Sequence, residues 1–211
     1  MPIWAWIVFG LIVAFVAINL FWRYGARRTN APCPAWLAWM LAPGPEDKPL
    51  GRGRAIEQLA LTPGMRVADV GCGPGRLTLP IARAVGPDGE VVALDLQQKM
   101  LDLMSRSTEK AGVKNVRAIC AGAGDGKLPQ NYFDRAVLST VLGEIPNRER
   151  ALREIHGALK PGGYLVVAEV IGDPHYQFKK KVIELAANAR LRPGETTGGF
   201  ITYTMRLYKD R

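Results

Sequence analysis

Apolar and polar positions along this chain fall into two regimes. Residues 3–22 read IWAWIVFGLIVAFVAINLFW, twenty positions without a charge. As a helix rising ~1.5 Å per residue, that run spans ~30 Å, the hydrocarbon thickness of a bilayer. Trp4 and Trp6 stand at one end and Phe21, Trp22 and Tyr24 at the other, where aromatic belts meet the headgroups. No Lys or Arg precedes the run and no small-x-small cleavage signal follows it, which argues against a secretory leader. The pattern predicts a single-pass transmembrane helix. Arg23, Arg27 and Arg28 follow it directly, so the positive-inside rule puts the remainder of the chain on the cytoplasmic side.

From residue 51 onward, short apolar runs alternate with helical stretches. A short helix is predicted over 54–61, then a strand in MRVADVG, a helix over 74–85, and a turn at Gly86-Pro87-Asp88-Gly89. EVVALDL follows as a strand, 99–111 as a helix, and 116–121 and FDRAVLSTV as two more strands. A helix over 148–159 shows Ala151, Leu152, Ile155 and Leu159 on one face. After a turn at 160–163 come the strand YLVVAEVI, a helix over 178–189 and a last strand over 200–208. Continuous apolar strands separated by helices predict an α/β fold with a doubly wound, mostly parallel sheet covered on both faces. Between the two regimes lie Pro32, Pro34, Pro43, Pro45 and Pro49, which forbid a long helix there. The chain therefore divides into an anchor with its basic flank (1–28), a Pro-rich connector (29–50) and a catalytic-size domain (51–211). Within the connector, the Trp-rich stretch at 34–41 reads equally as an interfacial segment or as a cover over the domain.

Composition narrows the classes. With 22% charged and 48% hydrophobic residues over 211 positions, the chain is neither disordered nor fibrous. Lys and Arg exceed Asp and Glu by 28 to 19, a balance of +9 that favours anionic surroundings, either nucleic acid or an acidic lipid surface. The only dense basic run is Lys179-Lys180-Lys181, which suits lipid headgroups as well as nucleic acid. Cys33, Cys72 and Cys120 are too few and too scattered for a disulfide framework or a zinc cluster, so a reducing compartment and no metal are expected.

Ligands of such sheets bind beyond the carboxyl ends of the strands, which directs attention to four places. The first is the loop Asp69-Val70-Gly71-Cys72-Gly73-Pro74-Gly75, whose glycines permit a tight turn and a close backbone approach. A dinucleotide fingerprint starting at Gly71 would need glycine where Arg76 stands, and Asp69 would repel a pyrophosphate. A cationic, phosphate-free ligand fits better. The second is Asp95 at the end of the second strand, which either accepts both hydroxyls of a ribose or caps the next helix. The third is Gly122-Ala123-Gly124-Asp125-Gly126, an adenine site with Asp125 meeting the exocyclic amine, or else a flexible loop with a solvated aspartate. The fourth runs from Ser139 to Glu144, where a reacting group would sit.

DVGCGPG, ALD, LPQNYFD and ALKPGGYLVVAE, in that order, resemble class I S-adenosylmethionine-dependent methyltransferases, and specifically those similar to the ubiquinone/menaquinone biosynthesis group. The resemblance covers about residues 51–208. It implies a Rossmann-like seven-stranded sheet ending in an antiparallel hairpin, with S-adenosylmethionine as cofactor. It also implies that Asp69, Gly71, Cys72, Gly73 and Gly75 hold the amino-acid end of the cofactor and Asp95 its ribose. Leu96 and Met100 would lie against the adenine, Gly124 and Asp125 at its amine, and Ser139 beside them. Many relatives carry His where this chain has Gly143.

A sulfonium methyl is already electrophilic, so transfer needs alignment and exclusion of water, plus a base when the acceptor carries a proton. Glu144, His175 and Tyr176 are the candidates for that side, His175 being otherwise a surface turn residue. His156 is expected to be solvated. The sequence thus points to an enzyme: a methyltransferase tethered by its N-terminal helix and acting on a lipophilic small molecule, a quinone precursor or a lipid headgroup. No appended nucleic-acid module fits in the length. The alternatives are a methyltransferase for nucleic acid or protein, and a non-catalytic S-adenosylmethionine-binding module.

Overall fold

The computed structural model describes residues 2–29, 32–33 and 52–210. The expected Trp-rich segment at 34–41 lies outside them. Helix α1 (Ile3–Thr29) is followed by α2 (Arg52–Leu59), and then strands and helices alternate. In order these are β1 (Arg66–Val70), α3 (Thr78–Val85), β2 (Glu90–Asp95), α4 (Gln98–Lys110), β3 (Val116–Cys120), β4 (Phe133–Ser139) and α5 (Arg148–Ala158). The chain closes with β5 (Leu159–Val170), α6 (Lys179–Asn188), β6 (Leu191–Gly198) and β7 (Thr202–Lys209).

The seven strands form one sheet in the order β3-β2-β1-β4-β5-β7-β6. The first five run parallel, while β7 pairs antiparallel with β5 and β6 antiparallel with β7. The order reverses between β1 and β4, the switch point beside which such sheets bind ligands. Alternate strand residues serve opposite faces, as the two-residue period of a strand requires. Val70, Leu94, Leu138 and Val167 pack with Leu152 and Ile155 of α5 and with Val182 of α6. On the other face, Val67, Val91, Val137 and Val166 pack with Leu59 of α2 and Ile81 of α3.

Several expectations need correction. The sequence bounded an apolar helix at Trp22, but α1 continues through the arginine-bearing stretch to Thr29. Among the described residues no helix is long and apolar enough to cross a membrane, so the transmembrane anchor is not carried by the structure. Strand β6 was not among the elements the sequence pattern predicted, since LRPGETTG is polar and holds a proline. The strand is an edge, it is mostly exposed, and its register shifts between Pro193 and Thr196, which is where a strand tolerates proline. The turn expected at 160–163 is taken into β5, and the β4–β5 register shifts between Phe133 and Arg135. Helix α3 begins at Thr78 rather than 74, because the glycine loop extends one turn further than its sequence pattern suggested.

Leu152 is fully buried between α5 and the sheet. Leu152→Ala is expected to lower unfolding stability by about 2–5 kcal/mol, read from urea melts, because the rigid sheet face cannot close the cavity.

Candidate active site

All the parallel strands end on the same edge, and the loops that leave them enclose a cleft of about 430 Å³, within the size range of small-molecule sites. Its floor is the turn after β1. Gly71 and Cys72 donate their backbone N–H groups to the carbonyl of Leu94 at 2.7 and 3.1 Å, which ties this turn to β2. Gly71 has φ +72°, and a Cβ there would stand 2.5 Å from Val141, in the loop after β4. Glycine is thus required on two counts, by the left-handed backbone and by the close approach of the two loops at the switch point.

Asp69 faces the cleft from β1 and accepts the hydroxyl of Thr78 at 2.6 Å. Burial pushes its carboxyl up to about 6, helped by the charge of Asp95 and opposed by the Thr78 hydrogen bond. Asp95, the last residue of β2, accepts the N–H of Gly73 at 2.9 Å through one oxygen and the N–H of Gln97 at 2.9 Å through the other. Both roles considered for Asp95 are compatible here. It braces the start of α4, and each oxygen keeps a second lone pair for a ribose hydroxyl. Burial raises its carboxyl above the ordinary range, against the pull of those two N–H donors. Leu96, an exposed apolar side chain, and buried Met100 line the cleft beside it, the kind of surface an adenine ring covers.

The loop after β3 also borders the cleft. Asp125 is exposed and its carboxylate accepts the N–H of Gly122 at 2.9 Å. Glu154, reaching from α5, accepts the N–H groups of Gly124 at 2.5 Å and Leu128 at 2.9 Å, and so fixes this loop. Ser139 ends β4 at the cleft wall.

Glu144 lies at the far end of the cleft, with Asp173 from the loop after β5. Burial drives the Glu144 carboxyl up to about 8; the Asp173 charge adds to this, the backbone N–H of Cys33 opposes it, and the Asp95 charge adds further. His175 is 4% exposed, with its Nδ1 3.8 Å from Glu144 and 3.9 Å from Asp173. It is therefore buried against the candidate base rather than exposed at a surface turn. A Cβ built on Gly143 would collide with the carbonyl oxygen of His175 and stand 2.7 Å from its Cβ. His175 occupies the space that a side chain at 143 would need.

The cleft brings together Asp69, Gly71, Cys72, Gly73, Asp95, Leu96, Met100, Gly124, Asp125, Ser139 and Glu144. Gly75 does not line it; with φ +89° and Met104 Cγ 2.7 Å from a built Cβ, it serves the packing of the loop on α4. Tyr176 is also set back, donating its hydroxyl to the carbonyl of Phe200 at 2.8 Å among Phe178, Phe200 and Tyr203. His156 is half-buried on α5, and burial lowers its imidazole below the ordinary value. Thr78, Gln97, Asp173 and Glu154 were not singled out from the sequence, since each is a common polar residue whose role comes only from its tertiary partner.

A methyltransferase-domain family model matches residues 61–205, and the chain belongs to that family. S-adenosylmethionine is the cofactor this membership gives to the cleft. Among curated relatives, the ubiquinone/menaquinone biosynthesis C-methyltransferase UbiE of Coxiella burnetii is 37% identical over 116 residues, which are 54% of this chain and 46% of that protein. The chain thus spans about half the length of the curated relatives it matches. Among solved structures, an S-adenosylmethionine-dependent methyltransferase from Aquifex aeolicus superposes with a TM-score of 0.76 at 22% identity, over 84% of this chain and 100% of that one. A Burkholderia thailandensis 1,6-didemethyltoxoflavin-N1-methyltransferase, solved with its acceptor and S-adenosylhomocysteine, gives a TM-score of 0.62 at 18% identity over 78% of each chain.

The residues present fit this cofactor. The glycine turn at Gly71 leaves room where any side chain would collide with Val141, and Asp95 offers a carboxylate already oriented by two backbone donors. Asp95→Ala is expected to weaken S-adenosylmethionine binding by well over about tenfold in calorimetry, because it removes a charged acceptor from the ligand and a brace from two loops. Asp125→Ala, at an exposed carboxylate, is expected to cost less. Equal effects would detach Asp95 from the ribose.

The raised carboxyls also set a pH dependence. Glu169, 1% exposed at the end of β5, is pushed up to about 8 by burial, with Asp173 and Glu144 adding and the N–H of Gln177 and the charge of Arg148 opposing. The folded chain therefore holds protons on Glu144 and Glu169 that the unfolded chain releases near pH 4.5. Stability from these groups is full below that pH and is lost as pH rises through about 8. The melting temperature of the ligand-free protein is expected to fall between about pH 5.5 and about pH 8.5, and Glu169→Gln to flatten that fall. An equal slope in the variant would show that Glu169 ionises as freely when folded as when unfolded.

Proposed function

We propose that the protein transfers the methyl group of S-adenosylmethionine to a lipophilic small molecule, a quinone precursor or a lipid headgroup, at the cytoplasmic face of a membrane. The observation that carries this reading is the arrangement of the cleft: a braced carboxylate and an apolar shelf at one end, and a buried acid–base group at the other. The bound cofactor supplies an electrophilic sulfonium methyl. The chain's own residues align it, exclude water and handle a proton. In the ligand-free cleft Glu144 is held largely protonated at neutral pH by burial, with a carboxyl near 8. A cation placed nearby favours its ionised form, which leaves a carboxylate able to accept a proton from the acceptor. The His175 Nδ1 lies 3.8 Å from that carboxyl.

Two observations support a lipophilic acceptor. Trp4, Trp6, Ile7, Phe9 and Leu11 of α1 are exposed apolar side chains, suited to a lipid surface. The curated relatives are named for quinone biosynthesis. The densest basic run gives less support to nucleic acid, because Lys179 donates to the carbonyl of Gly198 at 3.1 Å and Lys181 to Glu184 at 2.9 Å.

Radiolabelled S-adenosylmethionine, full-length protein and a whole-cell extract, partitioned between organic solvent and water, test the reading. Label is expected in the organic phase and absent with Asp95→Ala. Label confined to the aqueous or precipitated fraction would transfer the case to a polar metabolite, nucleic acid or protein.

A further inference from the structure

Two residues far outside the strand-end loops reach the cleft. Pro32 and Cys33, from the segment that leaves α1, line it together with the loops after β1, β2 and β4. They are held from both sides. The side-chain amide of Gln97 donates to the carbonyl of Cys33 at 2.9 Å, and the backbone N–H of Cys33 donates to Glu144. Gln97 is itself fixed by Asp95 at the ribose corner, so the backbone of one residue, Cys33, bridges the cofactor end of the cleft to its acceptor end. The Cys33 thiol feels that setting: burial, then the charges of Glu144 and Asp173, push it up to about 11.

We propose that Pro32 and Cys33 form the roof of the pocket that takes the acceptor, and that the Gln97–Cys33–Glu144 clasp holds this roof closed. The proposal rests on the methyltransferase reading and deepens it. Helix α1 ends at Thr29, three residues before Pro32, and three residues span at most about 11 Å. The end of the apolar helix is therefore adjacent to the mouth of the acceptor pocket. A lipophilic acceptor carrying an ionisable hydroxyl or amine suits such a pocket. Its apolar body enters from the side of α1, and its proton-bearing group meets Glu144 beneath the roof.

The clasp makes two readouts available in the full-length protein. The first is alkylation of Cys33 by iodoacetamide, followed by peptide mass spectrometry with exposed Cys120 as internal reference. The second is the dissociation rate of S-adenosylhomocysteine. Cys33 is expected to react at least about tenfold more slowly than exposed Cys120, because a half-buried thiol kept protonated by burial and by neighbouring carboxylates is a poor nucleophile. Gln97→Ala leaves its own backbone N–H on Asp95 but removes the donor to Cys33. It is expected to raise both the Cys33 alkylation rate and the dissociation rate by about three- to tenfold, the factor for one hydrogen bond, with little change in melting temperature. Cys33→Pro, which removes the N–H given to Glu144, is expected to speed ligand release in the same way. Cys33 reacting as fast as Cys120 in the unaltered protein would overturn the roof, as would ligand release unchanged in both variants. Failure of S-adenosylhomocysteine to bind at all would instead overturn the methyltransferase reading, and the alkylation arm would still decide whether the roof exists.

Discussion

The architecture of the cleft depends on one carboxylate. Asp95 joins the turn after β1 to the first turn of α4 by accepting the N–H groups of Gly73 and Gln97. Strands alone leave the carboxyl edge of a parallel sheet as a set of independent loops. A buried acceptor with two backbone donors makes two of them a single rigid corner. Further consequences follow from that corner. Gly71 is held close against Val141, which fixes the loop after β4. The side chain of Gln97 is aimed at Cys33, which brings the N-terminal segment over the cleft.

The same edge concentrates carboxyl groups with few cations among them. Asp69, Asp95, Glu144 and Glu169 are all raised by burial, and Asp173 raises both Glu144 and Glu169 further. Arg148 offers partial relief to Glu169, but its guanidinium is also committed to the carbonyls of Leu142 and Gly143, at 3.1 and 2.7 Å. An ionised cluster of this kind would be costly in a dry cleft, and protonation is the cheaper solution for an empty one. A cationic ligand reverses the balance. The cluster is thus matched to a sulfonium rather than to a phosphate, as the position of Asp69 in the glycine loop already suggests. Proton release on cofactor binding is the thermodynamic counterpart of that match.

Much of the cofactor half was legible in the sequence, because local pattern determines it. The glycine loop, Asp95 at a strand end and the apolar strands all announce themselves within a dozen residues, and the structure brings them to one cleft. Elements whose role is set by distant partners were not legible. Strand β6 has no apolar alternation, because it is an edge strand that pairs with β7 and is mostly exposed. Gln97 and Glu154 look like any helix-surface polar residue until their targets, Cys33 and the Gly124 loop, are in place. Tyr176 follows His175 in sequence and was read with it, yet the turn sends the phenol into the aromatic cluster near β7. The run of apolar residues near the N-terminus was legible as a helix, but its C-terminal limit was not, since arginines after an apolar run are compatible with helix continuing.

The two halves of the cleft are therefore built on different physical terms. The cofactor half hangs from strand ends and is rigid because sheet register fixes it. The end around Glu144 is lined by the loop after β4, by Asp173 from the loop after β5 and by Pro32 and Cys33, none of which is held by sheet register. Gly143 and His175 show how such a half can be composed differently without altering the first. In this chain the space at 143 is taken by the carbonyl and Cβ of His175 and by the side-chain amide of Gln177, while the His175 Nδ1 lies 3.8 Å from Glu144. An acceptor site assembled from loops can be reshaped while the cofactor site stays constant. In this chain the lining of the cleft extends to Pro32 and Cys33, three and four residues past the end of α1.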